Sequence, residues 1–178
     1  MPPGSAPPAG CRSSRALPTE LARLRRGWGI VLSAKDAQET DRLVAVLTER
    51  EGKVTILVKR ARRIESPYGA VLEPTNRVEL IYYVREGLYL LKEASLLRRF
   101  PRIRGELVRL EAALEGLHFA ERLLPERVSE PQVLALTQTF LEELEKGAPP
   151  DVLLLAYEIK VLSVLGHGPH LEGCVRCG

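Results

Sequence analysis

The spacing of apolar residues changes period once along this 178-residue chain, and that change limits the folds open to it. Before Phe100 apolar residues tend to alternate with polar ones, and after Pro101 they recur every three or four positions. Alternation puts side chains on opposite faces of a strand, whereas the longer spacing lines one face of a helix. A β module followed by an α module is expected.

The cleanest strand is the third, where Val54, Ile56 and Val58 point one way and Thr55, Leu57 and Lys59 the other. Glu51-Gly52 supplies a tight turn from a second strand at about Arg42 to Thr48, in which Leu43, Val44, Val46 and Leu47 alternate imperfectly. Trp28 to Ser33 reads as the first strand, preceded by a mixed segment of helical potential from Thr19 to Arg26 and followed by a polar loop from Lys35 to Thr40. Ile64 to Thr75, punctuated by Ser66-Pro67, Gly69 and Glu73-Pro74, reads as loop. Arg77 to Arg85 alternates Val78, Leu80 and Tyr82 with Glu79, Ile81 and Tyr83; Glu86-Gly87 turns the chain into a fifth strand, Leu88 to Leu97. Five short strands with two Glu-Gly turns indicate a small antiparallel barrel or sandwich, and five is the strand number of an OB-fold.

Leu107, Leu110, Leu114, Leu117 and Leu124 form the apolar stripe of a helix bounded by Pro101 and Pro125. A second helix, Pro131 to Lys146, turns Val133, Phe140, Leu141 and Leu144 inward and Glu142, Glu143 and Glu145 outward, and Gly147 to Pro150 ends it. A third, Val152 to Leu165 after an Asp151 cap, is apolar nearly all round and is expected to be the buried member of a bundle. The expected organisation is a disordered tail over 1–24, rich in Pro, Gly, Ser and Ala, a five-stranded barrel of OB type over 25–98, a helical domain over 99–166, and the start of a Cys-x-x-Cys module over 167–178.

No apolar run approaches the roughly 20 residues of a membrane helix, and the N-terminus has no apolar signal core. Three cysteines do not make a disulfide framework, so the expected compartment is the cytoplasm. Charge is unevenly distributed. Residues 25–104 carry 17 Lys and Arg against 10 Asp and Glu, and residues 105–178 carry 6 against 12. A basic first half and an acidic second half suggest modules with different tasks.

Lys59, Arg60, Arg62 and Arg63 place four cations in five residues directly after a strand. Such runs are usually solvated loops, but Lys35, Arg42, Lys53, Arg98 and Arg99 share the module, which favours a polyanion as partner. Candidate contacts are Lys35, Arg42, Lys59, Arg60, Arg62, Arg63, Arg98 and Arg99. Trp28, Tyr68, Tyr82, Tyr83 and Tyr89 mostly fall in strands, where core or cross-strand packing is expected. With aromatics at 5% of residues, contacts to a nucleic-acid backbone should dominate over base stacking.

Cys174 and Cys177 form one Cys-x-x-Cys, half of the four ligands that a tetrahedral zinc site needs. His167 and His170 are cramped against them and read as ordinary loop histidines, and a redox role lacks the α/β pattern. The zinc site is expected to be completed elsewhere or missing. There is no P-loop, no strand-borne GxGxxG, no HExxH and no nucleophile elbow. Asp36, Glu39 and Asp41 could serve a metal-dependent nuclease, but acids flanking strands are far more often turn formers or ion-pair partners. Binding without catalysis is expected. A protein-interaction module that touches DNA only incidentally is the alternative, because OB-folds serve both ends.

The segments GIVLSAKDAQETDRLVAVLT, GKVTILVKRARR and SPYGAVLEP, the leucine-rich half, and LGHGPHLEGCVRCG occur in an order that resembles the bacterial RecO recombination mediators, over roughly Trp28 to Gly178. The resemblance implies an N-terminal OB-fold, a helical domain and a zinc module held by two Cys-x-x-Cys pairs. It implies binding of single- and double-stranded DNA and annealing of complementary strands. It further implies work with RecR, and in some bacteria RecF, to load RecA onto DNA covered by single-strand-binding protein, in a nucleoid-associated cytoplasmic setting. The Lys59 to Arg63 cluster, with Lys35 and Arg42, would then belong to the DNA surface. Cys174 and Cys177 would be the first half of the zinc site, with the second pair expected beyond a C-terminal truncation.

Overall fold

The computed structural model describes residues 23–37, 39–61, 66–85, 87–169 and 173. Five strands come first: β1 (Arg23–Asp36), β2 (Arg42–Thr48), β3 (Gly52–Val58), β4 (Arg77–Arg85) and β5 (Leu88–Arg98). They form a closed barrel in the order β1-β2-β3-β5-β4. Closure depends on β1, whose first half pairs with β4 from Arg23↔Val84 to Ile30↔Arg77 and whose second half pairs with β2 from Gly29↔Thr48 to Asp36↔Arg42. A parallel contact, Ile56↔Tyr89 and Leu57↔Leu90, joins β3 to β5 and completes the ring.

β1 is therefore much longer than the apolar run Trp28 to Ser33 suggests, and Arg23 to Arg26 are strand, not helix. The basic residues there are recruited by the free edge of β4, whose backbone groups need partners whatever side chains oppose them. Where β1 changes partner, Gly29 is required: a Cβ would lie 2.6 Å from the Leu47 carbonyl oxygen and 2.7 Å from Val46 Cγ1.

The imperfect alternation of β2 has a structural cause. Val44 and Val46 face the barrel interior with Val31, Val54, Ile56, Val58, Val78 and Leu80, while Ala45 and Leu47 face the helices together with Ile30 and Leu32. This part of the sheet is covered on both faces, so apolar residues occupy consecutive positions. β3 has one covered inner face and keeps the strict alternation.

A single helical turn, α1 (Tyr68–Val71), lies within the segment that reads as loop. The expected long helix divides into α2 (Pro101–Gly105) and α3 (Leu107–Leu123) at Glu106, whose backbone is extended. The leucine stripe of α3 is only partly inward. Leu117 and Leu124 are buried, whereas Leu107 is 69% exposed and Leu114 40% exposed. The buried face is instead Ala112, Ala113, Gly116 and Ala120, small residues that allow close approach by neighbouring helices. A Cβ on Gly116 would meet Phe140 Cε1 at 2.7 Å.

The next helix, α4 (Pro131–Lys146), buries Val133, Phe140, Leu141 and Leu144 as its spacing predicts, and Gly147 ends it at φ +112°. The last, α5 (Pro150–Val164), starts after Pro149 rather than Asp151 and buries only Tyr157 and Val161. Val152 and Leu155 are about three-fifths exposed, so the expectation of a fully buried helix is not met. No helix among the described residues is long and apolar enough to cross a membrane.

Candidate nucleic-acid interface

One end of the barrel gathers cations through the β1–β2 loop and the end of β3. Arg42 opens β2 opposite Val58, the last residue of β3. Lys59 and Arg60 then enter the following turn. Asp41 holds the two loops together: its carboxylate accepts the Arg60 backbone N–H at 2.8 Å, and its carbonyl accepts the Ala37 N–H at 2.9 Å. Arg60 adopts φ +56° to make this contact. The Lys59 and Arg60 side chains are both exposed, and neither forms an ion pair with another described residue. Arg42 Nε donates to Asp36 at 3.0 Å. Asp36 thus acts as an ion-pair partner and Asp41 as a loop anchor.

Other predicted contacts are placed differently. Lys35 Nζ donates at 2.9 Å to Glu121 of α3, which also accepts from Ser33 Oγ at 2.9 Å. Burial opposes ionisation of Glu121, but the Lys35 and Ser33 hydrogen bonds and the Lys35 charge outweigh it and hold the carboxyl below its usual range. Lys35 therefore serves to fasten the barrel to the helices. Arg98 pairs with Glu142 of α4 at 3.0 Å and lies over the Phe100 ring, and Arg99 donates to the Ala70 carbonyl at 3.3 Å. Arg98 ends β5, roughly 25 Å along the strand from its junction with β3 at about 3.3 Å per residue, and Arg99 follows it. Their contacts tie Arg98 to α4 and Arg99 to α1. Arg62, Arg63, Cys174 and Cys177 lie outside the described residues.

The outer face of β3 is half covered. Lys53 Nζ donates to the Glu121 carbonyl at 2.7 Å, Thr55 Oγ1 donates to Glu126 at 2.9 Å, and the Arg127 N–H donates to the Lys53 carbonyl at 2.8 Å. The chain after α3 is thereby strapped over Lys53 and Thr55, and Arg127 reaches on to the Gly87 carbonyl at the β4–β5 turn. Leu57 and Lys59 lie beyond this strap. With Tyr68, Tyr83 and Leu90 they border a groove of about 240 Å³.

Reading the aromatics as packing residues holds for some. Tyr82 and Tyr89 are buried, and Arg77 covers Trp28 at 4.2 Å. Tyr83 and Tyr68 are only half-buried and line the groove. The sequence carried a signal for this: Tyr83 has the opposite parity to the buried Tyr82, and Leu57 the opposite parity to Ile56.

At another turn, β2–β3, Glu51 accepts from Tyr82 Oη at 2.8 Å and Tyr89 Oη at 2.9 Å and pairs with Arg25 at 2.7 Å. Burial pushes its carboxyl up, but the three hydrogen bonds and the Arg25 charge win and hold it below the usual carboxylate range. Burial and the Glu51 carboxylate together push both tyrosines up. This cluster ties the Glu51-Gly52 turn to β1, β4 and β5.

Among the described residues no three His, Cys, Asp or Glu side chains converge as metal ligands. The sequence offers one Cys-x-x-Cys pair, two of the four ligands of a closed structural zinc site, so the residues present do not by themselves fit that ion.

The chain is thus a closed five-stranded barrel with a cationic end, strapped to a unit of α-helices. Comparison with known families agrees with this organisation. Residues 24–100 match the family described as Recombination protein O N terminal, and residues 104–178 match Recombination protein O C terminal. The chain belongs to the RecO family. It is 34% identical over 153 residues to the DNA repair protein RecO of Geobacter metallireducens, covering 86% of this chain and 63% of that protein. Identity to the DNA repair protein RecO of Geobacter sulfurreducens is 33% over 149 residues, covering 84% and 61%, and to that of Exiguobacterium sibiricum 31% over 150 residues, covering 84% and 60%. The chain thus spans about three-fifths of the length of the curated relatives it matches.

Proposed function

We propose that this chain is a non-catalytic DNA-binding mediator of repair and recombination whose barrel is an OB-fold. Two features of the strand pairing support the fold: β1 serves both β2 and β4, and β3 meets β5 in parallel, which is the closure expected of a five-stranded Greek-key barrel. In OB-folds the β2–β3 face and its flanking loops bind oligonucleotides. The observation that carries the reading is the exposed Lys59 and Arg60 pair beside Arg42 at the end of that face.

The chemistry suits backbone contact. Long exposed cations neutralise phosphates regardless of sequence, and they screen the repulsion between two strands brought together for annealing. Family membership supports single- and double-stranded DNA, RecR and single-strand-binding protein as partners, with RecA served indirectly. The test is anisotropy of labelled single strands of unrelated sequence at rising salt. Similar affinities that fall linearly on a logarithmic scale are expected; affinity indifferent to salt would overturn the reading. A second reading, in which the chain docks proteins, draws on the exposed Val152 and Leu155 of α5.

A further inference from the structure

The outside of the barrel carries an apolar row that the strand registers bring into line. Leu24 of β1 is opposite Tyr83 of β4, Tyr83 is opposite Leu90 of β5, Leu90 pairs with Leu57 of β3, and Leu57 with Leu43 of β2. Cross-strand partners share a face. Leu24 is 53% exposed and Leu43 40% exposed, so the ends of the row face solvent. In its middle, Leu57, Leu90 and Tyr83 floor the 240 Å³ groove.

The walls of this groove are of two kinds. Tyr68 forms one, its hydroxyl donating to the Lys92 carbonyl at 3.2 Å. Cations form the rim: Lys59 lines the groove, Arg60 follows it in the turn, and exposed Lys92 places its ammonium 5.9 Å from the Tyr83 ring centroid. That distance is near the limit of a cation–π contact and leaves Lys92 able to meet an anion. Among the described residues no carboxylate lines the groove. An apolar floor with an aromatic ring, whose charged rim among the described residues is cationic, complements a ligand that is planar and apolar in one part and anionic in the next.

We propose that this groove is a stacking subsite for one unpaired base of a single-stranded nucleic acid, with Tyr83 carrying the base and Lys59, Arg60 and Lys92 meeting the flanking phosphates. This rests on the DNA-binding reading above and adds a base contact to it. Its volume lies below the roughly 300 Å³ at which drug-sized ligand pockets begin, which suits a single ring system. Every base has a π-face, so the contact is tolerant of sequence. A paired base is enclosed in its duplex and cannot enter. The groove therefore favours unpaired strands.

The test uses the full chain and two oligonucleotides of equal length and charge, one of thymidines and one abasic. Wild type should bind the thymidine strand more tightly. Tyr83→Ala should weaken that binding by roughly tenfold, within the usual range for loss of one stacked base, and leave the abasic strand unchanged. Tyr83→Phe should behave as wild type. A 2-aminopurine strand should change fluorescence on binding wild type, a readout independent of whether the alanine variant folds. Equal wild-type affinity for the two strands, an equal loss on both in Tyr83→Ala, or unaltered 2-aminopurine emission would overturn the subsite while leaving backbone binding in place. No change on either strand in Tyr83→Ala would also overturn it and return the row to a protein contact. Failure of wild type to bind both strands would remove the underlying reading as well.

Discussion

Glu51 is a carboxylate whose surroundings reward its charge. Tyr82, Tyr89 and Arg25 all donate to it, and their hydrogen bonds outweigh the burial that would keep it protonated. Because its folded pKa is lowered, its contribution to stability is fully present above the ordinary carboxylate value of 4.5 and is lost as pH falls below that toward the folded value. Thermal unfolding between pH 7 and pH 3 should therefore show falling stability below about pH 4.5. Glu51→Gln should be less stable at pH 7 by about 1 kcal/mol and should flatten that acid limb. An acid limb as steep in the variant as in wild type would assign it to other carboxylates. Gly52, next in sequence, combines φ +67° with a site where a Cβ would lie 1.7 Å from the Val128 carbonyl oxygen. Gly52→Ala should cost at least about 2 kcal/mol in denaturant unfolding, since both strain and the strap over β3 are involved. A cost of a few tenths would mean that the strap yields freely.

Elements were legible where one physical requirement governed them. The alternation of β3 and the apolar face of α4 are each set by a buried face, the glycine turn before β3 by the positive φ of Gly52, and the structure reproduces them. β1 was not fully legible, because its first four residues are held by the edge of β4 rather than by their own side chains. α3 departs from its leucine stripe for a related reason: close packing selects Ala112, Ala113, Gly116 and Ala120, and hydropathy spacing alone overweights leucine. The apolar circumference of α5 suggested burial, but among the described residues too few neighbours surround it. The junction of α3 with α4 depends on Arg109, whose guanidinium donates to the carbonyls of Leu144 at 3.1 Å and Ala148 at 2.7 Å while pairing with Glu106 at 2.6 Å. It adds a second donor to the Leu144 carbonyl, which the Gly147 N–H also reaches, and meets the Ala148 carbonyl just past the end of α4. Arg109→Ala should destabilise the chain by about 3 kcal/mol in chemical denaturation, and an effect under 0.5 kcal/mol would show that water replaces it readily.

For the whole molecule, the uneven charge of the sequence becomes a division of labour among cations. Some of the basic module holds the fold together, as Lys35 does with Glu121, Lys53 with the Glu121 carbonyl and Glu126, and Arg98 with Glu142. Lys59 and Arg60 face outward without such partners among the described residues. A list of basic residues drawn from sequence mixes the two kinds, because only tertiary contact tells a bridge from a free cation. The candidate site was legible as a cluster at the end of β3, but neither its limits nor the groove beside it could be read without the registers. The measurement that tests this division most directly is the salt dependence of single-strand binding in wild type, Lys35→Ala and the double variant Lys59→Ala with Arg60→Ala. Each phosphate contact contributes about 0.7 to the logarithmic slope on a single strand, so the double variant should flatten it by up to about 1.4 and Lys35→Ala should leave it unchanged. A slope unaltered in the double variant, or flattened as much by Lys35→Ala, would contradict the account.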